Sequence, residues 1–456
     1  MGVIKNFSKI FYKKNSLPSE KLFLSNSLKL FTSNYVLIIV LAFNSIILCQ
    51  WSNDPYVNLE VAEHGENIHA VPDGNGGAIL TFNNFDYNVV TTYLQAIDKF
   101  GYLRWNQPKV ILDGPGPKNY VKDLFLNPDG SLLMGYTSGY TYIDTNFNQI
   151  VVNDPYVQKI DSNGNKLWGE DGIRLNVDST GKPVYAEFYN DGYGGIFGFW
   201  HFIYQNSDPT PPDSLFIQHI SKDGERLWGE NGIFVDASTF DSPRHWIVTD
   251  DSGGIYVQYQ KRNSEYYIKK FDSTGNLNWT VSVSTNFSNA IKDGGGGIIV
   301  SAVVDGIGVI ENQIIINRIS SEGEKLWGDG IIVDDSVDNN LGYPAEIFLN
   351  KDNTVSAFWD TQWCPNDDLF LQRYTLQGAQ VWEEHLKVSD YILNKSRLGL
   401  ISSDNNSNIV VWAEARDPVG NYAQKIDSIG NITWNEDKFI GAGTASFNII
   451  TDMNGG

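Results

Sequence analysis

Seven copies of one short pattern constrain this chain more than any other feature. G-x-x-x-W occurs at Gly101/Trp105, Gly164/Trp168, Gly224/Trp228, Gly275/Trp279, Gly323/Trp327, Gly378/Trp382 and Gly430/Trp434. Successive tryptophans lie 63, 60, 51, 48, 55 and 52 residues apart. Three residues before each glycine stands a small polar residue: Asp98, Asp161, Ser221, Asp272, Ser320, Thr375 or Asp427. A large apolar residue precedes it, from Ile97 in the first unit to Ile426 in the last. Six before the glycine, five of the seven units carry Gln: Gln95, Gln158, Gln218, Gln372 and Gln424. A fixed register repeated at this period marks units that bury their apolar faces against their neighbours.

One unit, LFIQHISKDGERLWGENGIFV, reads as a β-hairpin. Phe216 and Ile220 mark the first strand, and S-K-D-G supplies a polar opener and a glycine able to take positive φ. Leu227 and Trp228 are expected to begin the returning strand, with the indole wedged between units. A second element follows each Trp: a D-x-x-G-G turn leading into a β run, at Asp73, Asp191, Asp250 and Asp293. Degraded copies begin near Asp129, Asp352 and Asp404. Two hairpins per repeat give four strands in about 50 residues, the signature of an all-β, β-propeller fold with four-stranded antiparallel blades. Seven complete units are expected (73–105, 129–168, 191–228, 250–279, 293–327, 352–382, 404–434). The strand around Trp51 and a turn beginning at Asp452 would be two parts of an eighth, so the sequence is expected to stop short of the full C-terminus. A ring makes residues 50–456 one domain despite their length.

Composition agrees. With 43 Gly, 13% aromatic and 19% charged residues, the chain is too apolar for disorder and too rich in turn formers for a helical protein. The formal net charge of -21 excludes a nucleic-acid binder, which needs a basic face. The charge is uneven. Residues 1–34 hold six lysines and one acid, Glu20, and the apolar run YVLIIVLAFNSIILC follows at 35–49. That run is short for a bilayer span and suits the h-region of an export signal, so 1–49 is expected to be a signal segment. Cleavage after Cys49 is favoured; lipidation at Cys49 and retention as an uncleaved anchor are the alternatives. After cleavage 27 basic and 53 acidic residues remain, a formal net charge of -26. The remaining chain carries no further apolar run of membrane-spanning length. Its sole cysteine would be Cys364, which rules out an intramolecular disulfide.

The alternation IDSNGNKLWGEDGI / DGYGGIFGFW and the start QWSNDP resemble secreted bacterial β-propeller proteins of uncharacterised function. The resemblance implies a surface or secreted location and a C-terminal sorting domain for type IX secretion, of which none is visible here. The repeat turn is also similar to the Trp-docking motif of quinoprotein-like propellers. That motif has a Thr before the glycine, which is missing here, so the resemblance brings the fold and no quinone.

Chemistry is sparse. The six histidines form no metal-ligand pattern. D161-S-N-G-N165 partly matches the alternate-oxygen spacing of Ca²⁺ loops but lacks the closing Gly and Glu, so Ca²⁺ is the one cofactor candidate beside a plain hairpin turn. Glu383-Glu384 and Asp367-Asp368 are adjacent carboxylates, which would face opposite sides of a strand. Arg226, Arg318 and Arg373 sit in or beside the repeat turns rather than in a recognisable triad. Trp200, Trp359 and Trp412 share one repeat column with Phe82 and are expected to be packing residues. Trp246, Tyr266 and Tyr267 stand outside the repeat pattern. Trp363, beside Cys364, is the candidate exposed binding aromatic. The sequence therefore points to a secreted or cell-surface scaffold, non-catalytic, that binds a protein or glycan partner, with neither nucleic acid nor membrane insertion. A glycan-active enzyme with its site in the channel mouth is the alternative; converging carboxylates with Arg or His would favour it.

Overall fold

The computed structural model describes residues 61, 65–86, 89–113, 118–143, 149–177, 182–203, 214–237, 246–250, 252–261, 265–283, 286–304, 312–337, 344–361, 368–391 and 395–442. They form seven four-stranded antiparallel sheets, each a simple meander in chain order. Blades 1 to 7 span residues 66–112, 118–174, 182–237, 246–283, 286–337, 346–387 and 395–442. Their first strands are Glu66–Pro72, Lys118–Leu126, Lys182–Asn190, Trp246–Thr249, Asn286–Lys292, Glu346–Leu349 and Lys395–Ser402. From blade 1 to blade 7, successive first strands run beside one another, forming the hub of a β-propeller. The eighth-repeat parts expected at Trp51 and Asp452, the expected signal segment, Trp363 and Asp367 lie outside the described residues.

Both turns of a blade fall at the same end of its sheet, because strands one and three run parallel in an antiparallel meander. At the first turn, the Asp73 amide bonds the Gly77 carbonyl (3.0 Å) while Asp73 Oδ1 accepts from the Asn75 and Gly77 amides (both 2.8 Å). The last glycine of this turn has no room for a side chain: a Cβ on Gly77 would lie 2.1 Å from the Ile97 carbonyl of the second hairpin. In blades 2, 6 and 7 this turn starts at Asn127, Asn350 and Ser403 rather than at the aspartates that mark it in sequence. Asp129 and Asp352 occupy its third position, where Asp129 still accepts from the Ser131 amide.

The seven G-x-x-x-W glycines all have positive φ, between 82° and 91°. Each of five also lies under a tryptophan of the preceding blade. A Cβ on Gly224 would meet the Trp168 ring at 3.0 Å, and Gly275, Gly323, Gly378 and Gly430 stand likewise against Trp228, Trp279, Trp327 and Trp382. Four of these indoles donate Nε1–H to a turn carbonyl of the next blade: Trp228 to Ser273, Trp279 to Ser321, Trp327 to Leu376 and Trp382 to Ser428, at 2.8–3.2 Å. Gly164 departs from the pattern, being covered by Lys109, whose Nζ sits 5.3 Å from the Trp105 ring. Trp228 and Trp382 are buried; Trp105, Trp168, Trp279, Trp327 and Trp434 are half-buried at the wedge.

The returning strand does not begin at the tryptophan. In blades 2, 3 and 5 glycines at positive φ (Gly169 and Gly172, Gly229 and Gly232, Gly328 and Gly330) kink the chain after the Trp, and regular pairing resumes only at Ile173, Ile233 and Ile331. The recurring glutamine repairs this break. Gln218 Nε2 donates to the Gly229 carbonyl (2.7 Å), while its Oε1 accepts from the His219 (3.0 Å) and Trp228 (3.1 Å) amides. Gln95, Gln158, Gln372 and Gln424 make the corresponding clasp, and Asn317 does so in blade 5. Blade 4 has Lys269 there and W-T-V-S-V after the turn; its last strand, Leu277–Val283, runs unbroken through Trp279. Gln218→Leu strands buried backbone groups and is expected to cost about 2–4 kcal/mol in equilibrium unfolding.

Candidate functional site

The first strand of each blade pairs along one edge with its second strand, and the other edge faces the hub and the next blade. The amides on that edge need partners outside the sheet. Counting back four residues from the first turn gives one hub position per blade: His69, Asp123, Glu187, Trp246, Asn289, Glu346 and Gly399. Two of these carboxylates stitch blades together. Asp123 Oδ2 accepts from the Phe188 amide of blade 3 (3.1 Å), and Glu346 Oε1 accepts from the Leu400 amide of blade 7 (3.0 Å).

Blades 1 to 3 gather the chemically active groups. Burial pushes the Asp123 carboxyl up to about 6 and the negative Glu187 adds to it, against the opposing pull of the Phe188 amide and Lys122. Glu187, on the neighbouring strand, accepts a 2.6 Å hydrogen bond from the Tyr189 hydroxyl. Burial and the adjacent Glu187 hold that phenol protonated, well above its ordinary range. Burial lowers His69, and Lys122 adds to the effect against the hydrogen bond to the Val121 backbone, so the imidazole is neutral at pH 7. Glu346 across the hub is also raised by burial, with the Leu400 amide and Arg397 opposing. A hub wall surrounds these groups with protein while leaving Asp123, Glu187 and Glu346 partly open to solvent.

Two residues before Glu187 stands Tyr185, 54% exposed, with φ of +51°. The strand bulges there, since Glu187 pairs with Phe199 and Val184 with His201. The corresponding bulge in blade 1 holds Asn67 at φ +50°, a residue suited to that conformation. A bulky aromatic in the left-handed region is strained by about 1–3 kcal/mol, and a bulge is a device that re-aims a side chain. Tyr185 meets the His201 ring edge-on at 6.4 Å, and about half of its surface is open.

The other sequence candidates are structural or lie apart from this cluster. Trp200, Trp359 and Trp412 are fully buried, and Trp359 Nε1 bonds Asp334 of the preceding blade at 2.7 Å. Trp246 is buried too, and the Tyr267 ring stacks on Tyr259. Asp161 spends its oxygens on its own turn, accepting from the Asn163 and Asn165 amides and the Asn165 side chain. Among the described residues no group of three His, Cys, Asp or Glu is placed to hold a metal ion. Arg226, Arg318 and Arg373 bond the Arg174 carbonyl, Asp293 and Asp352 respectively and do not converge. Glu383 and Glu384 lie in the bends after Trp382 and are exposed, not on a strand. Asp368 is paired with Lys387 at 2.7 Å.

The basic column two residues before the second turn of blades 2 to 7 was missed in sequence. His219 bonds Asp191 (2.9 Å), Lys270 bonds Asp250 (2.6 Å) and Arg318 bonds Asp293 (2.8 Å), locking the two hairpins of a blade together. The hub residues Asp123, Tyr185, Glu187 and Tyr189 were missed as well. Their signal is positional, six, four and two residues upstream of the first turn of the blade, and it appears only when blades are aligned on that turn.

No family model matches the chain, and no curated protein is similar to it in sequence. Among solved structures it is similar to a protein of unknown function from Dyadobacter fermentans, with 11% identity over 71% of this chain and 94% of that one, TM-score 0.35. It is also similar to the polysaccharide lyase Uly1, with 10% identity over 82% and 91%, TM-score 0.42. An α-L-arabinanase from Penicillium chrysogenum matches at 12% identity over 66% and 89%, TM-score 0.34. Likeness at this level concerns the general arrangement of strands and carries nothing about a ligand.

Proposed function

We propose that this chain is an exported β-propeller that binds a glycan at the hub of blades 1 to 3. The observation that carries the reading is Tyr185, an exposed aromatic kept in a strained conformation on a hub strand where Asn would sit without cost. A flat aromatic beside hydrogen-bonding carboxylates suits a sugar ring, which offers an apolar face and a rim of hydroxyls. Asp123, Glu187, Tyr189 and Lys122 provide acceptors and donors for such a rim. The acidic surface favours a neutral polysaccharide over an anionic one. The basic residues before 35 and the apolar run at 35–49 support export.

Affinity electrophoresis against starch, laminarin, xylan and galactomannan tests the reading. The protein is expected to be retarded by at least one of them, and Tyr185→Asn to weaken that retention about 10-fold or more, equivalent to about 1.4 kcal/mol. The same variant should be no less stable than wild type, because Asn relaxes the strain. Retention unchanged in Tyr185→Asn would remove the platform from the account.

A further inference from the structure

The hub cluster combines groups of unlike character on adjoining strands: a carboxyl anchored by the next blade, a second carboxylate held by a phenol, a lysine and an imidazole. Asp123 lies on the first strand of blade 2 and Glu187 on that of blade 3, close enough for each to feel the other's charge. The Phe188 amide fixes one Asp123 oxygen at 3.1 Å, which orients the carboxyl, and the residue is only partly covered. The Tyr189 hydroxyl orients Glu187 at 2.6 Å and stabilises its negative form. Two carboxyl groups in different environments, one favouring its proton and the other its charge, divide naturally into an acid and a base.

We propose that this pair hydrolyses the glycan bound at the hub, with Asp123 as general acid and Glu187 as general base. Asp123 gives its proton to the glycosidic oxygen as the bond from that oxygen to the anomeric carbon breaks. A water oxygen bonds the anomeric carbon, and Glu187 takes the proton that this water loses. One water is consumed, a reducing end and an alcohol are released, and proton exchange with solvent restores Asp123–H and the Glu187 carboxylate. Tyr189 is a positioning residue, and Tyr185 carries the sugar ring. Lys122 from blade 2 bears on Asp123, and Tyr189 from blade 3 on both carboxyl groups; His69 from blade 1 lies against Val121 and Lys122 instead.

The inference rests on the glycan-binding reading, and one experiment separates the two. Each polysaccharide of the panel is incubated with the full chain, and retention and new reducing ends are measured in parallel. A retained polysaccharide is expected to be cut, at a rate that falls as pH rises through about 6, where Asp123 loses its proton. Asp123→Asn and Glu187→Gln should each lower the rate about 10²–10⁴-fold, far more than either weakens retention, while melting temperature stays near wild type. Asn keeps an acceptor for the Phe188 amide, so loss of rate in that variant is not loss of the tether. A polysaccharide that is retained but yields no reducing ends overturns hydrolysis and leaves binding standing. Cutting that survives both substitutions, or products carrying a new double bond instead of an added water, overturns it equally. A panel with no retained member overturns both readings.

Discussion

Trp228→Ala is expected to lower the free energy of unfolding by about 3–5 kcal/mol, as a large-to-small change at a packed site. The Trp228 ring covers Gly275 of blade 4, with 3.0 Å between the indole and the place a Cβ would occupy, and packs on Phe197 at 5.2 Å. Its Nε1–H also satisfies the Ser273 carbonyl at 3.2 Å. Truncation thus opens a cavity and removes a hydrogen bond at a joint between blades. Trp168→Ala, against Gly224, should follow the same direction. Trp105→Ala should cost less, because Lys109 rather than the indole covers Gly164. Denaturant titrations of the three variants check the order. A loss under 1 kcal/mol for Trp228→Ala would contradict the wedge.

Asp250→Ala should be about as damaging, roughly 3–5 kcal/mol, because it leaves Lys270 buried without its counter-charge. Lys270 Nζ lies 2.6 Å from Asp250 and 3.0 Å from the Tyr256 hydroxyl, and Asp250 also caps the first turn through the Ser252 and Gly254 amides. Burial works against ionisation of Asp250, but Lys270 and the two amides outweigh it and hold the carboxyl below its usual value. Asp191 is lowered in the same way, by His219 and the Tyr193 and Gly195 amides. A lowered folded-state value means stability that is present above the unfolded-chain value and lost as pH falls through the folded one. Wild type should therefore weaken on acidification below the ordinary carboxylate range, and Asp250→Ala should show a shallower acid limb. Asp123 runs the other way. Its raised value means a contribution present below the unfolded-chain value and lost as pH rises to about 6. Melting temperatures across pH, for wild type, Asp250→Ala and Asp123→Asn, check the two signs.

The turns carried most of the fold into the sequence. Gly224 and Trp228 mark one hairpin, Asp191 and Gly195 the other, and each has a local reason readable without coordinates: positive φ in the first case, a carboxylate capping its own turn in the second. The glutamine column was visible as a recurrence, but its role was not. Gln218 spans a break in the returning strand, which in this blade is kinked at Gly229 and Gly232 and pairs regularly only from Ile233. Asp129 and Asp352 drew the turn starts two residues late, because Asn127 and Asn350 perform the opening role with a different side chain. The hub was illegible for another reason. Its seven members are of six residue types, His69, Asp123, Glu187 and Asn289 among them, and what unites them is distance from a turn rather than residue type. Tyr185 looks ordinary in a strand and becomes informative only with its φ.

The most direct test of the account is a structure of the protein with an oligosaccharide from whichever polysaccharide retards it. The account predicts a sugar ring on the face of Tyr185, with its hydroxyls or glycosidic oxygen against Asp123 and Glu187. An oligosaccharide seated at the outer strands, or at the end of the ring that carries the G-x-x-x-W turns, with the hub of blades 1 to 3 left to solvent, would contradict it.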